Sequence, residues 1–164
     1  MNRRGRVVWI LVPALAVAAS VWAISAQAGG ARESASIQGA GTSIISGGTG
    51  APTFAPILTK FAVSWNNGRG HFECLALTPS ASAGSTGSGN FDTNIMYVTG
   101  TITSAEVHRR TAVLKGNATV TGAGAGDAVP FTLTLVKGGP GATLVLEISG
   151  LTFNETVLEG EIKF

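Results

Sequence analysis

His71, Glu73 and Cys74 form the densest set of chemically able side chains in this 164-residue sequence, which has two histidines (His71 and His108) and one cysteine. Converging on one point, such a trio could ligate a metal or set a thiol beside a base. In an extended chain, however, alternate side chains leave opposite faces, so His71 and Glu73 share one side and Cys74 takes the other. Cys74 then keeps company with Phe72 and Ala76, and reads as a small buried hydrophobe. His71 and Glu73 read as a solvated pair. Asp92 and Asp127 are the only aspartates, each in or beside a loop, and nothing in the pattern sets them face to face as a paired-carboxylate glycosidase would need. No calcium loop of alternating acids is present. Ser85 and Ser88 stand in a low-complexity Gly/Ser run with no helix after it, so they build no nucleophile elbow. Gly122-Ala123-Gly124-Ala125-Gly126-Asp127 lacks the Lys-Ser/Thr of a phosphate loop and joins two strands. These residues predict no catalytic set, no metal and no cofactor, hence a protein that is not an enzyme.

If any residues bind a ligand, the candidates are Trp65, Cys74, Met96 and Tyr97. Trp65 shares parity with Phe61 and Val63 and points to a core, although its place beside a turn could set it at a rim. Tyr97 lies opposite Met96 and Val98 and is the best exposed aromatic.

These side chains belong to a chain whose hydrophobic period changes just after residue 28. Arg3, Arg4 and Arg6 precede an uncharged apolar run, Val7 to Ile24, and Ala26-Gln27-Ala28 offers a small-x-small cleavage site. This order describes a secretory signal peptide over residues 1–28. The alternative, a membrane anchor, would be at the short limit for a bilayer. Arg3-Arg4 leaves the twin-arginine route open. Removing 28 residues, three of them arginine, from a chain with 11 basic and 9 acidic residues leaves 136 residues with 8 and 9. The mature charge is therefore near −1, and nucleic acid is excluded as a partner for want of a basic footprint. The membrane is met only through the leader before cleavage. A lone cysteine in an exported domain provides no internal staple, so stability must come from a packed core.

Residues 29–36 are small and polar, and predict a disordered lead-in to a single β-domain over 37–164. Eight stretches with period-two alternation follow: Ile37–Ile45, Thr59–Trp65, His71–Thr78, Asn94–Thr103, Ala112–Thr121, Val129–Val136, Thr143–Ser149 and Val157–Phe164. Asn66 to Gly70 is a hairpin turn, and Pro79 to Asn90 a flexible Ser/Gly loop. The inward sets include Leu114, Gly116 and Ala118; Phe131, Leu133 and Leu135; Leu144, Leu146 and Ile148; and, last, Leu158, Ile162 and Phe164. Alternation without helical spacing predicts an all-β fold: an antiparallel meander of about eight strands, closed or nearly closed into a β-barrel, with a β-sandwich as the alternative. Closure would pair the first and last strands and remove two bare edges.

Gly68-Arg69-Gly70-His71-Phe72-Glu73, Gly116-Asn117-Ala118-Thr119-Val120, Pro130 to Leu135, Gly138-Gly139-Pro140-Gly141 and the closing Leu158-Glu159-Gly160-Glu161-Ile162 carry a family likeness. From about Ile37 onward the chain resembles the small β-rich module of secreted and surface-attached bacterial proteins called post-COAP. The loop Pro79–Asn90 and Cys74 depart from that pattern. The resemblance implies an extracellular accessory or structural domain without established catalytic residues, so no site is carried over. The expectation is a secreted, non-catalytic structural or interaction module whose partner is an extracellular protein or cell-envelope component. A barrel holding a small apolar ligand is the alternative. An outer-membrane barrel, suggested by the terminal Phe164, and a hydrolase stand third.

Overall fold

The computed structural model describes residues 36–53, 55–80 and 90–164. The expected signal peptide, the lead-in before Ser36 and most of the Pro79–Asn90 loop lie outside the described residues. Eight antiparallel strands run in chain order around a closed barrel: β1 (Ser36–Gly47), β2 (Leu58–Asn66), β3 (Arg69–Pro79), β4 (Phe91–His108), β5 (Thr111–Gly122), β6 (Gly126–Val136), β7 (Thr143–Ile148) and β8 (Leu151–Lys163). The barrel, not the sandwich, is the fold. β1 is longer than its alternation suggested because it is paired on both sides, with β2 and with β8.

Turn chemistry sets this order. Asn67 and Gly68 both take positive φ (48° and 82°) between β2 and β3, as do Ser149 and Gly150 (54° and 75°) between β7 and β8. Two consecutive left-handed residues match the right-handed twist of the strands they join. The strands are strongly staggered. A tour along paired residues leaves β1 at Ile37 and passes Trp65, Gly70, Ile102, Gly116, Phe131 and Ile148 before reaching β8 at Leu151. Leu151 lies beyond Asn154, the partner of Gly47, so one circuit climbs past the end of β1. Stagger of this kind goes with tilted strands and a narrow barrel that side chains can fill.

They do fill it. Phe61, Val63 and Trp65 of β2, Phe72 and Cys74 of β3, Met96, Val98 and Ile102 of β4, and the Leu and Ile sets of β5 to β7 all point inward and are buried. Phe72 and Phe131 meet with centroids 5.6 Å apart.

Simple parity fails at three places, each where a strand takes an irregular register. In β3 the shift between Ala76 and Leu77 leaves both residues buried. In β4 the shift between Ile102 and Ser104 moves burial from even to odd numbers, so Ala105 is inside. In β8 the partners step from Glu159 to Val157. Leu158 is the extra residue and lies outside at 48 % exposure, the one large hydrophobic so exposed among the described residues. The expectation that Leu158 packs inward with Ile162 is therefore corrected. A bulge turns the strand, placing Val157 inside above it and Ile162 inside below it. Phe164 packs against the core while staying half-buried, and the Lys137 ammonium sits 5.7 Å from its ring centroid.

The Gly138–Ala142 connection continues the sheet beside this bulge. Gly138 N–H donates to Ile162 O (3.1 Å), Ile162 N–H to Gly138 O (2.8 Å), and Val157 N–H to Ala142 O (2.8 Å). The glycine-rich turn thus satisfies backbone groups of β8 that β7, beginning at Thr143 opposite Thr156, cannot reach.

Candidate functional site

Three polar side chains are buried among the described residues, and they are in contact: Ser43 of β1, Thr59 of β2 and Glu155 of β8. Ser43 and Thr59 are direct cross-strand partners, and both face inward by the parity of Ile37 and Phe61. Glu155 reaches them from the neighbouring strand. Ser43 Oγ lies 2.6 Å from Glu155 Oε2, Thr59 Oγ1 is in hydrogen-bond contact with the same oxygen, and the two hydroxyl oxygens are 2.5 Å apart.

The remaining wall is apolar. Ile45, Cys74, Ala76, Met96, Val98, Leu146 and Phe153 join Thr59 and Glu155 around a residual void of about 10 Å³. That is at most the room of one water molecule. Glu155 is 2 % exposed. Burial drives its carboxyl above the usual glutamate range, and the two hydroxyl donors pull the other way. Burial likewise holds the Cys74 thiol well above its ordinary value, with the Glu155 charge a lesser contribution.

This arrangement suits hydrogen bonding across the β8, β1 and β2 strands. The carboxyl faces no imidazole and no cation, and the thiol that could act as a nucleophile is protonated and enclosed. Iodoacetamide at pH 8 is therefore expected to label Cys74 at least roughly a hundredfold more slowly in the folded protein than in urea, since alkylation must await opening of the barrel. Comparable rates, read by mass spectrometry, would contradict an enclosed thiol.

Of the sequence candidates, Cys74 and Met96 are brought together beside Glu155. Trp65 is not. It is buried at the opposite end of β2 (1 % exposed), and its Nε1–H has no hydrogen-bond partner. Tyr97 lies on the outer surface, half-buried. His71 Nε2 and Glu73 Oε1 pair at 3.0 Å on the wet face, each side chain about half exposed. Cys74 points inward away from both, so the sequence-adjacent trio does not converge. Asp92 and Asp127 are exposed at the starts of β4 and β6.

Sequence reasoning missed Glu155 because the final strand was started at Val157. The signal was present: Phe153, Glu155 and Val157 keep one parity, which would have put a carboxyl inside had the alternation been followed back to Leu151. No family model, curated protein or solved structure matches this chain.

Proposed function

We propose that this chain is an exported, non-catalytic β-barrel that serves as a structural or interaction module outside the cell, presenting its outer face to an extracellular or cell-envelope protein. The filled interior carries this reading. A small-molecule carrier needs a pocket of roughly 300 Å³ or more, against the void of about 10 Å³ beside Glu155. The larger recesses among the described residues are open hollows on the outer face, one of about 500 Å³ beside Lys115 and Glu147 and one of about 350 Å³ beside Arg110 and Lys137, and they do not reach the barrel interior.

The outer face is hydroxyl-rich and polar. Thr99 pairs with Thr119, and Lys115, Thr132, Glu147 and Thr152 form one row across four strands. An outer-membrane barrel needs the reverse, with apolar residues outward and a polar lumen. The leader-like residues 1–28 and the likeness to post-COAP modules agree with an extracellular address.

Expression of the full chain in a secreting host tests the reading, with fractionation followed by native mass spectrometry. The expected product is a soluble exported chain beginning at Gly29, with no mass beyond the polypeptide. Retention in carbonate-washed membranes would favour the membrane barrel, and a co-purifying ligand mass would favour the carrier.

A further inference from the structure

Glu155 sits where the barrel closes. β1 and β8, the first and last strands, meet along a ladder interrupted twice, between Thr42 and Ser43 and between Ile45 and Gly47. Between these breaks only Ser43, Ile44 and Ile45 pair in regular register, with Val157, Thr156 and Glu155. The Ser43–Thr59–Glu155 cluster lies over this short patch and ties β8 to β1 and, across it, to β2.

Counting protons shows which form of Glu155 the cluster accommodates. Its three oxygens make three mutual contacts, all short. Two hydroxyls supply two protons. If both go to an ionised carboxylate, the Ser43–Thr59 contact at 2.5 Å sets two oxygen lone pairs against each other with no proton between them. A neutral carboxylic acid brings the third proton, and every contact then has a donor.

The surroundings agree. From β3 the one titratable group facing the cluster is Cys74; β4 presents Met96 and Val98, β7 presents Leu146, and β8 itself adds Phe153. No buried cation stands among the described residues to offset a carboxylate. Lys60, next to Thr59, points outward and is exposed.

We propose that Glu155 is a proton-operated latch on the closing seam: as the neutral acid it bolts β8 to β1 and β2, and its ionisation loosens that seam while the β3–β6 wall stays paired. The linkage has a definite sign. A carboxyl held neutral by the fold contributes fully below its unfolded value of about 4.3, and the contribution is lost as pH rises through the folded value. Between those two values each pH unit lowers the closed-to-open ratio by up to about tenfold. The barrel is thus expected to be tightest in acid and slackest at alkaline pH.

Hydrogen exchange of the wild-type protein and of Glu155→Gln, each with Cys74→Ala to remove the second titrating group, tests the latch. After correction for intrinsic rates, protection in Ser36–Gly47 and Leu151–Lys163 is expected to fall as pH rises from 4 to 9, by up to about tenfold per pH unit, against a smaller change in β4 and β5. The Gln variant should show no such difference. An equal loss in all strands, a flat profile, or the same slope in the Gln variant would overturn the proposal. Should the variant fail to fold, carbon-13 NMR of the wild-type glutamate carboxyls decides. A Glu155 titration midpoint above the unfolded value of about 4.3 supports the latch, and one at or below it refutes it.

Discussion

Replacing Gly160 with alanine is expected to destabilise the barrel by more than about 3 kcal/mol, enough to leave a domain of ordinary stability marginal. Gly160 has φ +105° and lies opposite Gly41 across the β1–β8 seam. A methyl group there would stand 2.1 Å from Ala40 O and 2.6 Å from Gly41 Cα. Both obstacles are backbone, so no side chain can turn aside. Relief requires separating the strands, while the left-handed backbone itself costs a non-glycine residue about 1–2 kcal/mol. Gly41→Ala should behave alike, because its methyl would meet Glu159 O at 2.1 Å. Urea denaturation of the two variants measures the effect. A loss under about 1 kcal/mol would mean that the seam has slack, and that the two strands do not need their close approach.

Phe131→Ala is expected to cost about 3–5 kcal/mol, with part of that recoverable by a second substitution. The Phe131 ring lies in a recess made by two glycines on adjacent strands: a methyl at Gly100 would come within 2.8 Å of its Cε1, and one at Gly116 within 2.9 Å. The glycines are thus the complement of the ring. They differ in what else they face. At Gly116 a methyl would also stand 2.0 Å from Thr101 O, so alanine is excluded there with or without the ring. At Gly100 the next obstacles are Ala118 Cβ at 3.0 Å and Asn117 O at 3.3 Å, which small shifts can accommodate. Gly100→Ala alone should therefore destabilise. In the Phe131→Ala background it should be neutral or stabilising, because the new methyl enters the vacated space and alanine is a better strand residue than glycine. A coupling energy of about 1–3 kcal/mol from the four-protein cycle is the expected result. Strict additivity would show that the ring and the glycine do not share their space.

Much of this molecule was legible as alternation. Val63 and Trp65, Phe131 to Leu135 and Leu144 to Ile148 all face the interior as their spacing required, because a sheet with one dry face leaves its side chains no other period. The Asn67-Gly68 turn was equally plain, since few other pairs adopt two positive φ values without strain. Leu158 was not legible. Its inward reading assumed that parity persists to the chain end, and parity holds only while both strands advance one residue at a time. The bulge that breaks it arises from how β8 fits β1, a strand more than a hundred residues earlier, and nothing local marks it except Gly160.

The site followed the same division. Cys74 announced itself by its place between Phe72 and Ala76, whereas its position beside a carboxyl depends on a strand at the far end of the chain. Ser43, Thr59 and Glu155 are individually ordinary surface-type residues, and a glutamate in an alternating segment is commonly turned to water. Residue order alone thus determined the strand faces, the turns and the separation of His71 and Glu73 from Cys74, because these depend on backbone geometry over a few residues. Closure of the ring, the outward turn of Leu158 and the meeting of three polar groups inside were decided only by the tertiary structure. Each depends on the register between β1 and β8, and that register is set by the summed stagger of all eight strands.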